Sequence, residues 1–291
     1  MTSSLTLRLG ALFLLGIAFG PSMPSPAMSS PPRARRQASD DKLEAPELLR
    51  KGVAAYKDGT FDAAIEYFRQ AKELDPNSLK ARLYLATAYA SQYIPGAPGE
   101  ENIHLADKSI EEFKGVLQLD PNNLPAIDGI GTILYNLGGT PFDPKKFEES
   151  KSYHRLHIKL QPDDPEPYYW IGAIDWLIAY KENKELRATF NETTREELPD
   201  DEAMPPSVTA ALVRDNGATV DEGISCLKKA IDLKPDYDDA MAYLNLLYRQ
   251  KADMEWNRED RDTDLKLADD LVDQVKKIKE KKMRAQLPQS E

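Results

Sequence analysis

The short phrase "ELDPN" at 73–77 returns three times along the chain in altered form. It becomes "QLDPN" at 118–122, "KLQPD" at 159–163 and "DLKPD" at 232–236, so its prolines are Pro76, Pro121, Pro162 and Pro235. Proline cannot continue a helix, and each phrase therefore marks a place where a helix ends and the chain turns. Such recurrence over most of the chain is typical of a repeat protein, and it constrains the fold more than any other feature.

Small residues stand at fixed distances from these prolines. Ten residues after them come Ala86, Gly131, Gly172 and the larger Asn245, and twelve residues before them come Ala64, Ser109, Ser150 and Gly223. Two helices can pack closely only where one presents a small side chain at the crossing. The spacing therefore predicts a series of helix–turn–helix units in which the small residues meet.

This template resembles the tetratricopeptide repeat, a helix–turn–helix unit of about 34 residues. The segment 45–78 matches it without insertion or deletion, with Gly52, Gly59, Ala64, Phe68 and Pro76 at the characteristic places. The resemblance covers about 45–283. It implies an all-α, right-handed superhelical solenoid of about five antiparallel helix pairs.

The five predicted repeats are 45–78, 79–123, 124–164, 165–237 and 238–283. Repeats two, three and four are longer than the template, and every excess lies between the two helices of its repeat. We therefore expect long loops along one edge of the solenoid, the largest at 181–219, although the sequence leaves open whether that insertion is ordered or fills the groove. The predicted helix-packing positions are Gly52, Ala64, Ala86, Ser109, Gly131, Ser150, Gly172, Gly223 and Ala268.

The first residues carry the pattern of an export signal. The apolar run 9–20 is short for a membrane span but fits the core of a secretory signal. We expect a signal peptide at 1–27, a disordered Pro/Ser/Arg-rich linker at 28–44 and a C-terminal tail at 284–291. A periplasmic or secreted location follows, with anchoring by an uncleaved N-terminal segment as the alternative.

The charge of the chain narrows its class of partner. The net charge is −11, and without the four arginines that precede Asp40 the body has 34 basic and 49 acidic side chains, about −15. A chain with this net negative charge does not bind nucleic-acid phosphates through its overall electrostatic field. Cys226 is the only cysteine, so an internal disulfide is excluded.

No catalytic motif is recognisable in the sequence. There is no H-E-x-x-H zinc signature and no Ser-His-Asp arrangement, and the calcium-loop-like "DRDTDL" has Leu265 and Leu271 where Gly and Glu are required. We therefore expect a non-enzymatic protein without cofactor or metal. A metal or ligand site on His154 and His157 is an alternative, because residues three apart share one helix face. These histidines, however, occupy the places of Phe68 and Ala71 in repeat one, where side chains face neighbouring helices.

The resemblance also implies a concave groove, lined by the second, fifth, ninth, twelfth and thirteenth places of each first helix. An aromatic stripe in repeat four holds several of these places, and aromatic rings with polar tips suit peptide capture. The alternative is that the stripe packs beneath the insertion of the same repeat. The candidate groove residues are Tyr56, Thr87, Tyr135, Asn136, Tyr169, Ala173, Trp176, Leu177 and Tyr180.

These features predict a protein- or peptide-binding scaffold in the bacterial cell envelope. The partner should be basic or apolar, because an acidic body repels acidic chains. The family's clamp for carboxylate tails is absent, since Leu49 and Val53 stand where it needs Lys and Asn. The main alternative is a membrane-associated assembly subunit, held at the membrane by its N-terminus and its basic C-terminal helix.

Overall fold

The structure, a computed structural model, describes residues 44–195, 197–198 and 202–286. The predicted signal segment 1–27 lies outside these residues, as do the predicted linker except Glu44 and the last five residues of the tail. Export therefore stays a prediction. Within the described residues no helix is long and apolar enough to span a membrane.

Ten α-helices make up the described part of the chain, which contains no β-strand. They form five consecutive pairs, and each helix packs on its neighbours in the chain, as in a solenoid. The prediction of an all-α solenoid of five helix pairs is confirmed. The helices are α1 Ala45–Lys57, α2 Phe61–Leu74, α3 Leu79–Gln92, α4 Glu100–Leu119, α5 Leu124–Gly139, α6 Pro144–Leu160, α7 Glu166–Thr194, α8 Pro206–Leu233, α9 Asp238–Ala252 and α10 Arg258–Gln286.

Repeat one shows why the small residues are required. Gly59 lies in the turn between α1 and α2 with φ +73°, a conformation that side chains disfavour. Gly52 faces Phe68, and a Cβ at Gly52 would overlap the Phe68 ring. The ring therefore fits because the facing helix has no side chain there.

The same crossing carries a hydrogen bond in the next two repeats. The Ser109 Oγ donates to the Ala86 carbonyl at 2.8 Å, and the Ser150 Oγ donates to the Gly131 carbonyl at 2.7 Å. The carbonyl gives the buried serine hydroxyl a hydrogen-bond partner, and the small side chain still fits the narrow crossing. All nine predicted packing positions are buried, including Ala268 in the last helix.

We expect Ala64→Leu to lower the free energy of unfolding by about 1–3 kcal/mol, because the crossing has no room for a larger side chain. Ala64 is completely buried, whereas its neighbour Ala63 is exposed on the same helix. Urea denaturation of both leucine variants measures the difference. Equal stability of the Ala64→Leu and Ala63→Leu proteins would show that the repeat register is wrong.

The insertion at 181–219 is not a loop, which corrects the prediction from the sequence. It lengthens both helices of repeat four: α7 has 29 residues and α8 has 28, and residues 195–205 connect them. The Asn183 Nδ2 donates to Gln250 Oε1 at 2.8 Å and to Asp253 Oδ2 at 3.0 Å, so the extension is bound to α9 and the turn after it. The prediction of a loop failed because the template assigns every residue beyond its fixed length to the connection between the two helices, whereas here the additional residues extend both helices.

The apolar core is divided along the solenoid. One cluster occupies repeats four and five, and another occupies repeats two and three. A small cluster of Tyr135, Phe147, Ile174 and Ile178 connects them across α5, α6 and α7. Helix α6 contributes mostly polar buried side chains at this junction, so repeats three and four are joined partly by polar contacts.

Candidate peptide-binding face

Six aromatic rings form a continuous line across the first helices of repeats three, four and five. We call this line the aromatic row; its members in spatial order are Tyr135, Trp170, Tyr169, Tyr243, Trp176 and Tyr180. Successive ring centroids lie 5.3, 5.4, 5.7, 5.3 and 5.4 Å apart. The first four contacts are edge-to-face, whereas the last, between Trp176 and Tyr180, is stacked at 22°. Both arrangements are favourable for aromatic pairs.

The spacing along α7 explains how one helix supplies most of the row. Tyr169, Trp176 and Tyr180 recur on one face of the helix, with the buried Ala173 between them. Tyr243 of α9 fits between Tyr169 and Trp176, which places the two helices side by side along the row. The sequence analysis singled out Tyr135, Tyr169, Trp176 and Tyr180, and the structure brings all four together.

Two members of the row were missed by the sequence analysis. Trp170 and Tyr243 do not stand at groove places of the repeat template, and Tyr243 is the sixth residue of its repeat. An enrichment of aromatic residues in α7 and α9 was the available signal for them. Only the packing of α7 against its neighbours shows that their rings complete the line.

Exposure of the row increases towards one end. Tyr135 is 8% exposed and Tyr180 is 43% exposed, with Tyr169, Trp176 and Tyr243 between these limits. The Tyr135 end is therefore part of the core, and the Tyr180 end is open to a ligand.

The row is electrically neutral and lies close to carboxylates. Burial, reinforced by nearby groups that include Asp239, raises the pKa of both Tyr169 and Tyr243. Their hydroxyls therefore stay protonated at neutral pH and can donate hydrogen bonds. Asp239 is exposed at the start of α9, beside these two tyrosines.

The other predicted groove residues do not join the row. Tyr56 lies in repeat one, where its hydroxyl and the Ser91 Oγ are 2.7 Å apart, and the Thr87 Oγ1 donates to the Leu83 carbonyl. Leu177 packs in the small cluster that holds Tyr135, and the side chain of Asn136 is partly exposed. The row is thus a feature of the second half of the solenoid.

The alternative that the stripe packs beneath the insertion is supported by shared core contacts but not by the ring contacts. Both rings that touch Trp176 lie outside 181–219: Tyr180 precedes the insertion and Tyr243 belongs to α9. The insertion packs through buried side chains such as Val208 and Leu212, which belong to the core cluster against which Tyr169 and Trp176 also pack. It therefore supports α7 from the sides that face α8 and α9.

The two histidines proposed as metal ligands have packing roles. His154 is 2% exposed, stacks on Trp170 and fills the space beside Gly131, just as Phe68 does beside Gly52. Burial lowers the pKa of His154 to about 3. Among the described residues, no group of three or more His, Cys, Asp or Glu is arranged to hold a metal ion.

His157 is fixed by carboxylates. Its Nδ1 lies 2.7 Å from Asp128 Oδ1, and its Nε2 lies 3.4 Å from Asp164 Oδ2. The hydrogen bond to Asp128 is the main reason that the pKa of His157 is raised. The histidine thus connects α6 to α5 and to the turn that precedes α7.

A buried ionic network holds the other side of α7, and no sequence motif indicates it. The Lys151 Nζ lies 2.5 Å from Asp175 Oδ1, 2.8 Å from Glu222 Oε2 and 3.3 Å from Glu148 Oε2. Lys151 is 3% exposed and Asp175 is completely buried. Burial alone would lower the pKa of Lys151, but the carboxylates of Asp175 and Glu222 raise it. The network joins α6, α7 and α8 and so positions the helix that carries most of the row.

The comparisons with known proteins agree with this architecture. The segment 48–78 matches the model of the tetratricopeptide repeat. The fold is similar to a crystal structure of MamA protein, with 18% identity, a TM-score of 0.53, and coverage of 85% of this chain and 98% of that one. It is also similar to MamA from Desulfovibrio magneticus RS-1, with 16% identity, a TM-score of 0.53, and coverage of 83% and 96%.

A third similar structure is YrrB, described as a TPR protein with an unusual peptide-binding site. The identity is 15%, the TM-score is 0.50, and 83% of this chain and 94% of that chain are covered. A comparison with curated protein sequences gives no match. At these identities the structural similarity shows the fold, while the sequence match identifies a repeat directly at 48–78. The chain therefore carries a tetratricopeptide repeat at 48–78 within a fold that is similar to those of MamA and of the TPR protein YrrB.

Proposed function

We propose that this protein is a non-enzymatic scaffold that binds an extended peptide segment of a partner along the aromatic row. The observation that carries the proposal is the line of six rings across α5, α7 and α9, buried at Tyr135 and open at Tyr180. Buried aromatic anchors beside exposed ones are typical of surfaces that bind peptides. Tetratricopeptide-repeat proteins generally bind proteins or peptides, which supports the proposal by analogy of fold.

The partner should be basic or apolar. The chain is acidic overall, and Asp239 and Glu166 lie close to tyrosines of the row. An acidic segment would be repelled as it approached, which lowers both its association rate and its affinity.

We further propose that the scaffold acts in the cell envelope after export, on the basis of the apolar run 9–20.

The membrane-associated alternative has support from the end of α10, where exposed basic residues lie close together: Lys276, Lys277, Lys279, Lys281, Lys282 and Arg284. Fractionation of cells with and without a high-salt wash separates the two. Release by salt indicates electrostatic membrane contact, and recovery in the soluble envelope fraction without salt contradicts it.

Trp176→Ala and Tyr180→Ala should each weaken binding of a peptide selected from a random library on the purified protein. For Trp176→Ala we expect a loss of about 2 kcal/mol in binding free energy, as for an anchor residue. Titration calorimetry measures the affinity, and Trp256→Ala is the matched control because Trp256 is 64% exposed and outside the row.

A melting experiment separates lost binding from lost folding. Trp176→Ala removes two ring contacts and should cost about 1–2 kcal/mol in stability, whereas Tyr180→Ala should cost less because that ring is largely exposed. A stability loss of about 3–5 kcal/mol for Trp176→Ala, with unchanged binding by Tyr180→Ala, would mean that the rings are core and would contradict the proposal.

A further inference from the structure

The aromatic row passes from repeat three to repeat four between Tyr135 and Trp170. Tyr135 belongs to α5 and Trp170 to α7, and their ring centroids lie 5.3 Å apart. The other successive contacts of the row lie within repeat four or between repeats four and five. Helix α6 reaches this place through His154, whose ring stacks on Trp170 with a centroid distance of 6.0 Å. The continuity of the row therefore depends on how α6 holds α5 and α7 together.

His157, three residues after His154, lies between carboxylates of two other elements. It is 5% exposed; its Nδ1 lies 2.7 Å from Asp128 Oδ1 of α5, and its Nε2 lies 3.4 Å from Asp164 Oδ2 in the turn before α7. A neutral imidazole carries one proton and presents a lone pair on its other nitrogen, so it satisfies only one of the two carboxylates. The doubly protonated, cationic ring satisfies both, and the geometry therefore favours the charged form.

Each of these carboxylates also supports part of the row. The Asp164 Oδ1 accepts a hydrogen bond from the backbone N–H of Glu166 at 2.9 Å, so this carboxylate holds the first residue of α7. Asp128 lies on α5 about two turns before Tyr135. A protonated His157 thus joins the start of the helix that carries most of the row to the helix that carries Tyr135.

The charge on His157 depends on pH. The hydrogen bond to Asp128 raises the pKa of His157, Asp164 acts in the same direction, and burial opposes them. The neighbouring titratable group on α6 is His154, whose pKa is lowered by burial to about 3, so that it stays neutral at neutral pH. A group whose pKa is raised by folding stabilises the fold fully below its unfolded value, here about 6.5, and this stabilisation is lost as the pH rises through the folded value.

We propose that His157 is a pH-sensitive latch between repeats three and four, and that it makes the aromatic row bind its peptide more tightly in mildly acidic than in alkaline solution. This inference rests on the proposed function, because it concerns the regulation of the same row. When the ring is charged, α5 and the start of α7 are held together, and the row is one continuous surface. When the ring loses its proton, one carboxylate loses its partner, and Tyr135 and Trp170 are held less firmly.

The first test uses the full chain without peptide. Titration of the histidine ring signals by NMR should show His157 titrating above pH 6.5, and Asp128→Asn should lower its midpoint by about one pH unit or more. His157→Gln identifies the signal, and the exposed His104 serves as the internal reference. A midpoint of His157 at or below pH 6.5 overturns the latch.

Thermal melts then show whether the charge stabilises the fold. The melting temperature of the parent should exceed that of His157→Gln at pH 6, and this advantage should shrink to about half or less at pH 9. The matched control is Lys159→Gln, an exposed cation on the same helix, which should keep the pH dependence of the parent. An equal advantage at both pH values overturns the latch.

The second test measures regulation with an acetylated, histidine-free peptide selected from the random library. Its affinity by calorimetry should fall about fivefold or more from pH 6 to pH 9 in the parent, and clearly less in His157→Gln. Asp175, whose pKa is raised by burial to about 7, titrates in the same range in both proteins, so their difference isolates His157.

The outcomes separate this inference from the function on which it rests. If the peptide binds through Trp176 and its affinity has the same pH dependence in the parent and His157→Gln, regulation by the latch is overturned and the proposed function stands. If no peptide binds, or if Trp176→Ala binds normally, the proposed function fails and the regulation fails with it.

Discussion

Above about pH 7, where Asp175 is ionised in the parent protein, Lys151→Met is expected to lower the free energy of unfolding by about 3–5 kcal/mol. Methionine retains most of the volume, but Asp175 would remain completely buried with its positive partner removed. Burial raises the pKa of Asp175 to about 7 even beside Lys151, and without the lysine the folded pKa moves higher. In the unfolded chain, Asp175 ionises at about pH 4. Because the pKa of Asp175 is higher in the folded variant, the variant loses stability as the pH rises from about 4 through that raised pKa. Its deficit relative to the parent protein should widen above about pH 7, where the parent carboxylate is ionised and paired.

The matched control is Lys114→Met. Lys114 is also a helical lysine near a carboxylate, 3.8 Å from Glu149, but its side chain is 49% exposed, and an exposed pair contributes about 0–1 kcal/mol. The double variant Lys151→Met with Asp175→Leu should recover much of the loss, because replacing both charges by apolar groups removes the unpaired ion. If Lys151→Met and Lys114→Met melt alike, Lys151 is not buried with Asp175 in solution.

Leu212→Ala is expected to cost about 2–5 kcal/mol. Leu212 lies in the part of α8 that belongs to the insertion, is completely buried, and packs in the cluster that fills repeats four and five. If the insertion is part of the solenoid, a cavity at Leu212 should lower the free energy of unfolding as much as a cavity in the core of an ordinary domain does.

Its neighbour Val213 provides the control, because it is 42% exposed on the same helix. Val213→Ala should change stability by less than about 0.5 kcal/mol. Guanidinium denaturation of both variants, with the slope of the transition recorded, gives the comparison. Two near-neutral results would show that 181–219 behaves as a loop, as the sequence suggested.

The sequence by itself determined the repeat register. The exit prolines and the small residues, such as Gly52, Ala64 and Ser109, are required by local geometry: a helix must end, and two backbones must approach. Each of these requirements concerns one residue type at a fixed spacing, so it can be recognised in the sequence alone. The places of Tyr135, Tyr169 and Trp176 on the candidate face followed from the same register, and that of Tyr180 followed from the helical spacing of the aromatic stripe.

The structure of the insertion could not be predicted from the repeat register. A template of fixed length assigns every additional residue to the connection between the helices, but lengthening both helices by the same amount keeps their packing intact. The additional turns of α7 and α8 are recognisable only from the partners of their side chains, such as Asn183 with Gln250 and Asp253.

Contacts between distant segments were decided only by the tertiary structure. Lys151, Asp175 and Glu222 are ordinary charged residues in the sequence, and they form a network because α6, α7 and α8 bring them within hydrogen-bonding distance in a buried place. Tyr243 completes the aromatic row for the same reason, since its ring fills the space between Tyr169 and Trp176. The free energy of such contacts depends on the burial and position of all partners together, and no single segment of the chain encodes it.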